Sequence, residues 1–180
     1  MSFGEAIKSV FSKYATFSGR ARRSEFWYFF LFNMIVSIVL TILGNRVPVL
    51  GVLGSLWSLV ILIPYLAVTV RRFHDIGKSG WNYLYLMIPA LLYVVYLIYL
   101  IIQVGGSFVG TNGAIDSDAL SSVLMDNSKA LITLAILMIA TLIAWIVWIV
   151  WMARDSQPGE NKWGPNPKET PNADPNATMY

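Results

Sequence analysis

The sequence predicts an all-α integral membrane protein: four transmembrane helices with an N-terminal amphipathic interfacial helix. Three observations lead there. Hydrophobic residues make up 56% of the 180 and charged residues only 13%, whereas about a quarter of a soluble domain is charged. Four long apolar stretches are free of charge, and each can cross a hydrocarbon core of about 30 Å. The basic residues gather at alternate connections between them. With a mean hydropathy of +0.59, this much apolar surface cannot be hidden in one small core, so the solvent is lipid.

Ser2 to Tyr14 places Phe3, Ile7, Val10, Phe11 and Tyr14 at helical spacing, with Lys8, Ser9, Ser12 and Lys13 elsewhere. A helix of this pattern is too polar to span and is expected to lie flat at headgroup depth. The alternative is a helix packed on the rest of the protein. A signal peptide is not expected, because the basic residues run on to Arg23 and no small-residue cleavage site follows the apolar run.

Residues 1–24 thus form a helix and an Arg-rich loop ahead of a membrane domain over 25–153, and 154–180 form a tail. The first span, about 25–43, opens on Phe26-Trp27-Tyr28-Phe29-Phe30, an aromatic belt suited to an interface. Gly44-Asn45-Arg46 reads as a turn. The second span, about 47–70, has Pro48 at its start, where a helix tolerates proline. Pro64 lies inside it and frees backbone that a neighbour or water must satisfy. The third span, about 81–104, is rich in tyrosine and interrupted by Pro89. Gly105 to Lys129 reads as an extramembrane loop with a short helix at Asp116–Met125. The fourth span, about 130–153, ends on Trp145, Trp148 and Trp151, which share one helical stripe. Beyond Lys168 the Pro- and Asn-rich tail is expected to be disordered.

Four spans put both ends on one side. Of the 13 basic residues, all but Arg46 and Lys129 fall with the termini and the central connection. The positive-inside rule makes that side cytoplasmic.

Three stretches stand out from this frame. The first is Phe17-Ser18-Gly19-Arg20-Ala21-Arg22-Arg23-Ser24-Glu25-Phe26-Trp27. The second is Arg71-Arg72-Phe73-His74-Asp75 followed by Gly77, Ser79, Gly80 and Trp81, and the third is Pro158 to Pro167 with Asn161, Trp163 and Gly164. In this order they resemble the motifs of the domain-of-unknown-function 805 family of bacterial inner-membrane proteins. Phe73 departs from the leucine common there, and the loop after the third span is longer than usual. The resemblance implies a bacterial inner-membrane location and no particular activity.

All three stretches fall on the predicted cytoplasmic side. Arg20, Arg22, Arg23, Arg71, Arg72 and His74 are candidate ligands for an anionic headgroup, since guanidinium forks match phosphate geometry. The alternative is that the arginines set topology and pair with Glu25, Asp75 and Asp155. Glu25, Asp75, Gly77, Gly80, Trp81, Asn161, Trp163 and Gly164 are assigned orienting or structural roles. Gly77 and Gly80, with Ser79, make a tight turn that caps the third span, and the tail segment either folds back over the basic turn or anchors through Trp163.

No catalytic residue is assigned, because His74 and Asp75 are adjacent and rarely face each other in that arrangement. The lone histidine and the absence of cysteine exclude multi-histidine and thiolate metal sites, and no cofactor is implied. The basic residues flank spans rather than line a soluble face, so nucleic acid is not an expected partner. Membrane lipids are, with a protein partner or a second copy of the chain beside them. Three functional readings remain open: a non-enzymatic scaffold, regulator or accessory subunit, a small oligomeric transporter or channel hinged at Pro64 and Pro89, and an interfacial enzyme on a phosphorylated lipid. The uncharged spans count against ion-coupled transport.

Overall fold

A computed structural model describes residues 1–108 and 128–169, with backbone alone for Pro48 and for 103–108. Five α-helices make up its regular structure: α1 Phe3–Ser12, α2 Arg23–Arg46, α3 Pro48–Asp75, α4 Trp81–Phe108 and α5 Ser128–Ala153. Four of them, α2 to α5, are long and apolar enough to cross a membrane. No strand occurs among the described residues, only an isolated bridge between Asn161 and Gly164. The helix expected at Asp116–Met125 and the tail past Glu169 lie outside the described residues.

The chain divides into two units, one of Met1–Tyr83 with the segment from Val150, the other of Leu84–Ile149. In the first unit α1 starts at a capping box: the Ser2 amide donates to Glu5 Oε2 (2.8 Å) and the Glu5 amide to Ser2 Oγ (3.3 Å). The Ser2 amide holds the Glu5 carboxyl below its ordinary pKa. The apolar side of α1 packs on α2. Ala6 and Val10 are fully buried, and the Phe11 ring stands edge-on to Phe29 and Phe32.

Helices α2 and α3 form an antiparallel hairpin. Gly44 lies opposite Gly51, Asn33 accepts from Trp57 Nε1 (3.0 Å), and Phe26 meets Tyr65. The residues read as a turn, Gly44 to Arg46, are helical, and Val47 alone joins the two helices. Glycine makes this possible, because a Cβ at Gly44 would lie 3.0 Å from Gly51 Cα. Near this end the two helices enclose a groove of about 360 Å³ lined by Ser37, Thr41, Gly51, Gly54, Ser55 and Ser58, among others. The Thr41, Ser55 and Ser58 hydroxyls each donate to the carbonyl four residues back.

Helix α3 stays helical through Pro64 and reaches Asp75, five residues past the expected end of the span. Proline has no N–H, so Pro64 leaves the Val60 carbonyl without its intrahelical donor. The Tyr14 hydroxyl supplies the missing bond at 2.5 Å, tying the segment after α1 to the middle of α3. At the other end, residues 71–75 lie on the last helical turns, so the connection to α4 shrinks to Ile76–Gly80.

In the second unit α4 and α5 leave large apolar side chains such as Leu91, Ile98, Ile136 and Ile143 exposed, as lipid-facing helices do. Tyr96 stacks on Tyr99, and Trp145 stands edge-on to Trp148. Helix α4 runs through Gly105 and Gly106 to Phe108, into residues expected to be loop.

Tyr14→Phe is expected to destabilise the protein by about 1–3 kcal/mol, the cost of a carbonyl left unpaired in an apolar medium. Chemical unfolding in detergent measures it. In a Pro64→Ala background, where the substituted alanine supplies the missing amide, the Tyr14→Phe cost should nearly vanish. An unchanged cost would show that Tyr14 acts by some other contact.

Candidate functional site

The last turn of a helix leaves carbonyls without intrahelical donors, and the end of α3 is where the three sequence motifs meet. The Phe73 carbonyl accepts the Ile76 and Lys78 amides, and the His74 carbonyl accepts Gly77 N (3.1 Å) and Asn161 Nδ2 (3.0 Å). The Asp75 carbonyl accepts Gln157 N at 2.8 Å, and the Arg71 carbonyl accepts Ala21 N at 3.0 Å. Gly77 takes φ +77°, the left-handed conformation that ends many helices, and a Cβ there would lie 2.6 Å from Gln157 Oε1. Gly80 is needed for closeness instead, since its Cβ would meet Val70 Cγ1 at 2.7 Å.

The side chains of the same turn build a buried ionic cluster. Asp75 is fully buried and accepts from Arg20 Nε (3.1 Å), from Ser156 Oγ (2.7 Å) and from Arg72 Nη1. Arg20 continues to the carbonyls of Gly159 (2.7 Å), Gln157 (2.5 Å) and Gly164 (3.3 Å), which fixes the tail over the end of α3. Arg72 reaches the end of α5: Nε and Nη2 donate to the Met152 carbonyl (3.2 and 3.1 Å), and Nη2 also donates to that of Arg154. Trp27 Nε1 donates to the Met152 carbonyl too (3.2 Å). A cation at a helix C-terminus also complements the helix dipole. Arg71 pairs with Glu25 at 2.8 Å, and Ser9 of α1 donates to the same oxygen at 3.1 Å.

His74 turns away from this pairing. Its Nδ1 meets the Gly19 carbonyl at 3.1 Å, an acceptor only, so Nδ1 carries the proton. Its ring stacks on Trp163 with centroids 4.5 Å apart and planes 9° from parallel. Lys162 Nζ lies 4.2 Å from the centre of the Trp163 ring. Asn161 Oδ1 accepts Trp163 N at 3.0 Å, an Asx turn that presents the indole to His74. Phe73 is buried edge-on to Trp151, with Lys78 Nζ over the Trp151 ring. Ser79 Oγ accepts the Trp81 amide at 3.4 Å, at the start of α4.

The structure therefore gathers Arg20, Glu25, Arg71, Arg72, His74, Asp75, Gly77, Asn161, Trp163 and Gly164 around one helix end. Arg22 is half-buried. Arg23 is exposed at the edge, 3.5 Å from Asp155 and within reach of the Ala153 carbonyl. Asp155 also pairs with Lys168, which holds its carboxyl below the ordinary range. Trp81 is exposed, and Gly80 packs on Val70. Sequence reading missed Ser9, Ser156, Gln157 and the Met152 carbonyl. Ser156 and Gln157 adjoin the tail motif, which was the available signal; a backbone acceptor has no residue-type signature.

Asp75→Asn is expected to cost about 3–5 kcal/mol, because it leaves buried guanidinium charge without its partner. Unfolding in detergent would report the loss, and limited proteolysis should show the segment from Ser156 released. A variant with wild-type stability and a protected tail would show that Asp75 does not hold the cluster.

Known proteins resemble this chain in sequence. Residues 14–111 match the family described as "Protein of unknown function (DUF805)". Inner membrane protein YhaH of Escherichia coli (strain K12) is 34% identical over 95 residues, covering 50% of this chain and 78% of the relative. Inner membrane protein YhaI of the same strain is 39% identical over 95 residues, covering 51% and 78%. No solved structure matches. With a family match over more than half of its length, four helices able to span a membrane and bacterial inner-membrane relatives, this chain belongs to the DUF805 family.

Proposed function

We propose that the chain is a non-enzymatic multi-pass protein of the bacterial inner membrane, with both termini cytoplasmic. In this reading α1 lies in the headgroup layer, and the Arg/His/Trp cap at the end of α3 binds an anionic lipid or a protein partner. The protein would then serve as a scaffold, regulator or accessory subunit. The observation that carries the reading is the mutual engagement of the motif residues. Asp75 is held by two arginines and a serine, and His74 by Gly19 and Trp163. An acid–base pair available for chemistry would need these atoms open to a substrate. Charge distribution supports the orientation, since the cap and both ends of the chain carry most of the basic residues.

In this arrangement the cap is a rigid platform with a basic rim. Arg22 is half-buried on it, while Arg23, Lys162 and Lys168 are exposed. Cations at headgroup depth attract anionic lipid at about 1 kcal/mol each. Two of the rim cations, Arg23 and Lys168, pair with Asp155 at the surface, where ion pairs are weak and exchange readily. The groove between α2 and α3 favours a second reading, transport of a small polar solute by an oligomer; liposome flux would establish it.

Native mass spectrometry of protein released gently from its membrane tests the first reading. The wild type is expected to carry a defined anionic lipid or protein adduct, and Arg22→Gln with Arg23→Gln should reduce it several-fold while leaving the fold intact. Wild-type protein that carries only a random sample of lipids and no partner would refute the reading.

A further inference from the structure

The three buried arginines of the cap differ in one respect. A guanidinium presents a side-on fork, the parallel N–H groups of Nε and Nη2, which matches two oxygens of one oxyanion. In Arg72 both arms of this fork meet the Met152 carbonyl, and in Arg20 they meet Asp75 and Gln157. Arg71 is 1% exposed, its Nη1 pairs with Glu25, and its Nε and Nη2 are buried without a hydrogen-bond partner. Both arms of one fork are thus empty. Buried charged donors left unpaired are costly and call for an acceptor.

Charge gives a second, independent indication. The buried cluster holds three guanidiniums, Arg20, Arg71 and Arg72, against two carboxylates, Glu25 and Asp75. With His74 neutral, it carries one positive charge in excess. A monoanion with two syn oxygens would fill the fork and neutralise the cluster. A phosphodiester or a singly charged inorganic phosphate has that chemistry.

We propose that the Nε/Nη2 fork of Arg71 is a bidentate site for a monoanionic phosphate group. The inference rests on the anionic-ligand reading above and names the group that anchors the ligand. The Glu25 carboxylate holds Nη1 and so aims the fork. Helix α1 reaches the same carboxylate through Ser9, and because Arg71 is 1% exposed, the packing around its fork must open locally to admit the ligand. The phosphate comes either from a lipid headgroup at the depth of α1 or from solution, and the two sources are separable.

The test uses the full chain in detergent, with phosphatidylglycerol, zwitterionic phosphatidylethanolamine and inorganic phosphate as probes, and compares the wild type with Arg71→Lys. Lysine keeps the charge and can pair with Glu25, but it has no fork. Phosphatidylglycerol is expected to bind the wild type and to bind Arg71→Lys roughly tenfold more weakly, as when one charge-assisted hydrogen bond is lost. Phosphatidylethanolamine presents the same phosphodiester beside an ammonium group that offsets its charge, so it is expected to bind more weakly than phosphatidylglycerol. Binding of phosphatidylglycerol but not inorganic phosphate identifies a lipid headgroup, whereas inorganic phosphate binding with the same loss in Arg71→Lys identifies free phosphate. Equal phosphatidylglycerol affinity in the two proteins would overturn the site while leaving the broader anionic-ligand reading standing. Failure of the wild type to bind either phosphate probe would overturn the site as well. Should Arg71→Lys fail to fold, the Arg71 Nε–H resonance of the wild type decides: it shifts on titration with a bound phosphate probe, or the site is refuted.

Discussion

The structure depends on surrounding one buried aspartate with donors at the end of a helix. Asp75 closes α3, where the helix dipole is unfavourable to a negative charge, and its side chain is fully buried. Burial at such a place is tolerable only if strong donors surround the carboxylate. Arg20 arrives from the loop before α2, Arg72 from one turn back in α3, and Ser156 from beyond α5. Each donor carries a different part of the chain with it. One carboxylate therefore brings together segments separated by 55 and 81 residues.

The same donors satisfy backbone groups that a helix leaves open. Arg20 gathers three tail carbonyls, and Arg72 with Trp27 covers the Met152 carbonyl at the end of α5. The tail answers by giving the Asn161 amide and the Gln157 N–H to the end of α3. The residues at the centre of the cap are buried, so these exchanges replace hydration lost on burial. The arrangement explains why polar, aromatic and glycine residues concentrate in three short stretches. Glycine permits the left-handed turn at Gly77, aromatic rings cover the ionic layer through Trp163 and Phe73, and Asn161 bridges two backbones.

A similar logic operates inside the hairpin. A proline within a spanning helix exposes a carbonyl to an apolar medium. Tyr14, in the segment leading away from α1, reaches the Val60 carbonyl and removes that cost. The N-terminal helix is thereby attached to the hairpin by an apolar face, by Ser9 on Glu25 and by one phenol in the middle of α3. Arg71 shares the Glu25 carboxylate with Ser9 of this helix, and two of its buried donors are left without a partner.

The sequence by itself determined the number of helices able to span a membrane and most of the charged and aromatic residues of the cap. Transfer of some twenty apolar residues into lipid is a sum over local side chains, so it is legible without knowing any contact. The cluster members were legible too, because charged, glycine and tryptophan residues are conspicuous among apolar spans. Only the tertiary structure decided where the helices end and what each arginine does. α2 absorbs Gly44 to Arg46 because Gly44 can approach Gly51, and α3 absorbs residues 71–75 because distant donors satisfy its last carbonyls. Arg20, Arg71 and Arg72 look alike in the sequence, yet Asp75, Gln157 and the Met152 carbonyl at the end of α5 fill two of their forks and leave the third empty. Their acceptors are mostly backbone carbonyls contributed by remote residues, and every residue type carries that group, so no local pattern can distinguish one arginine from another.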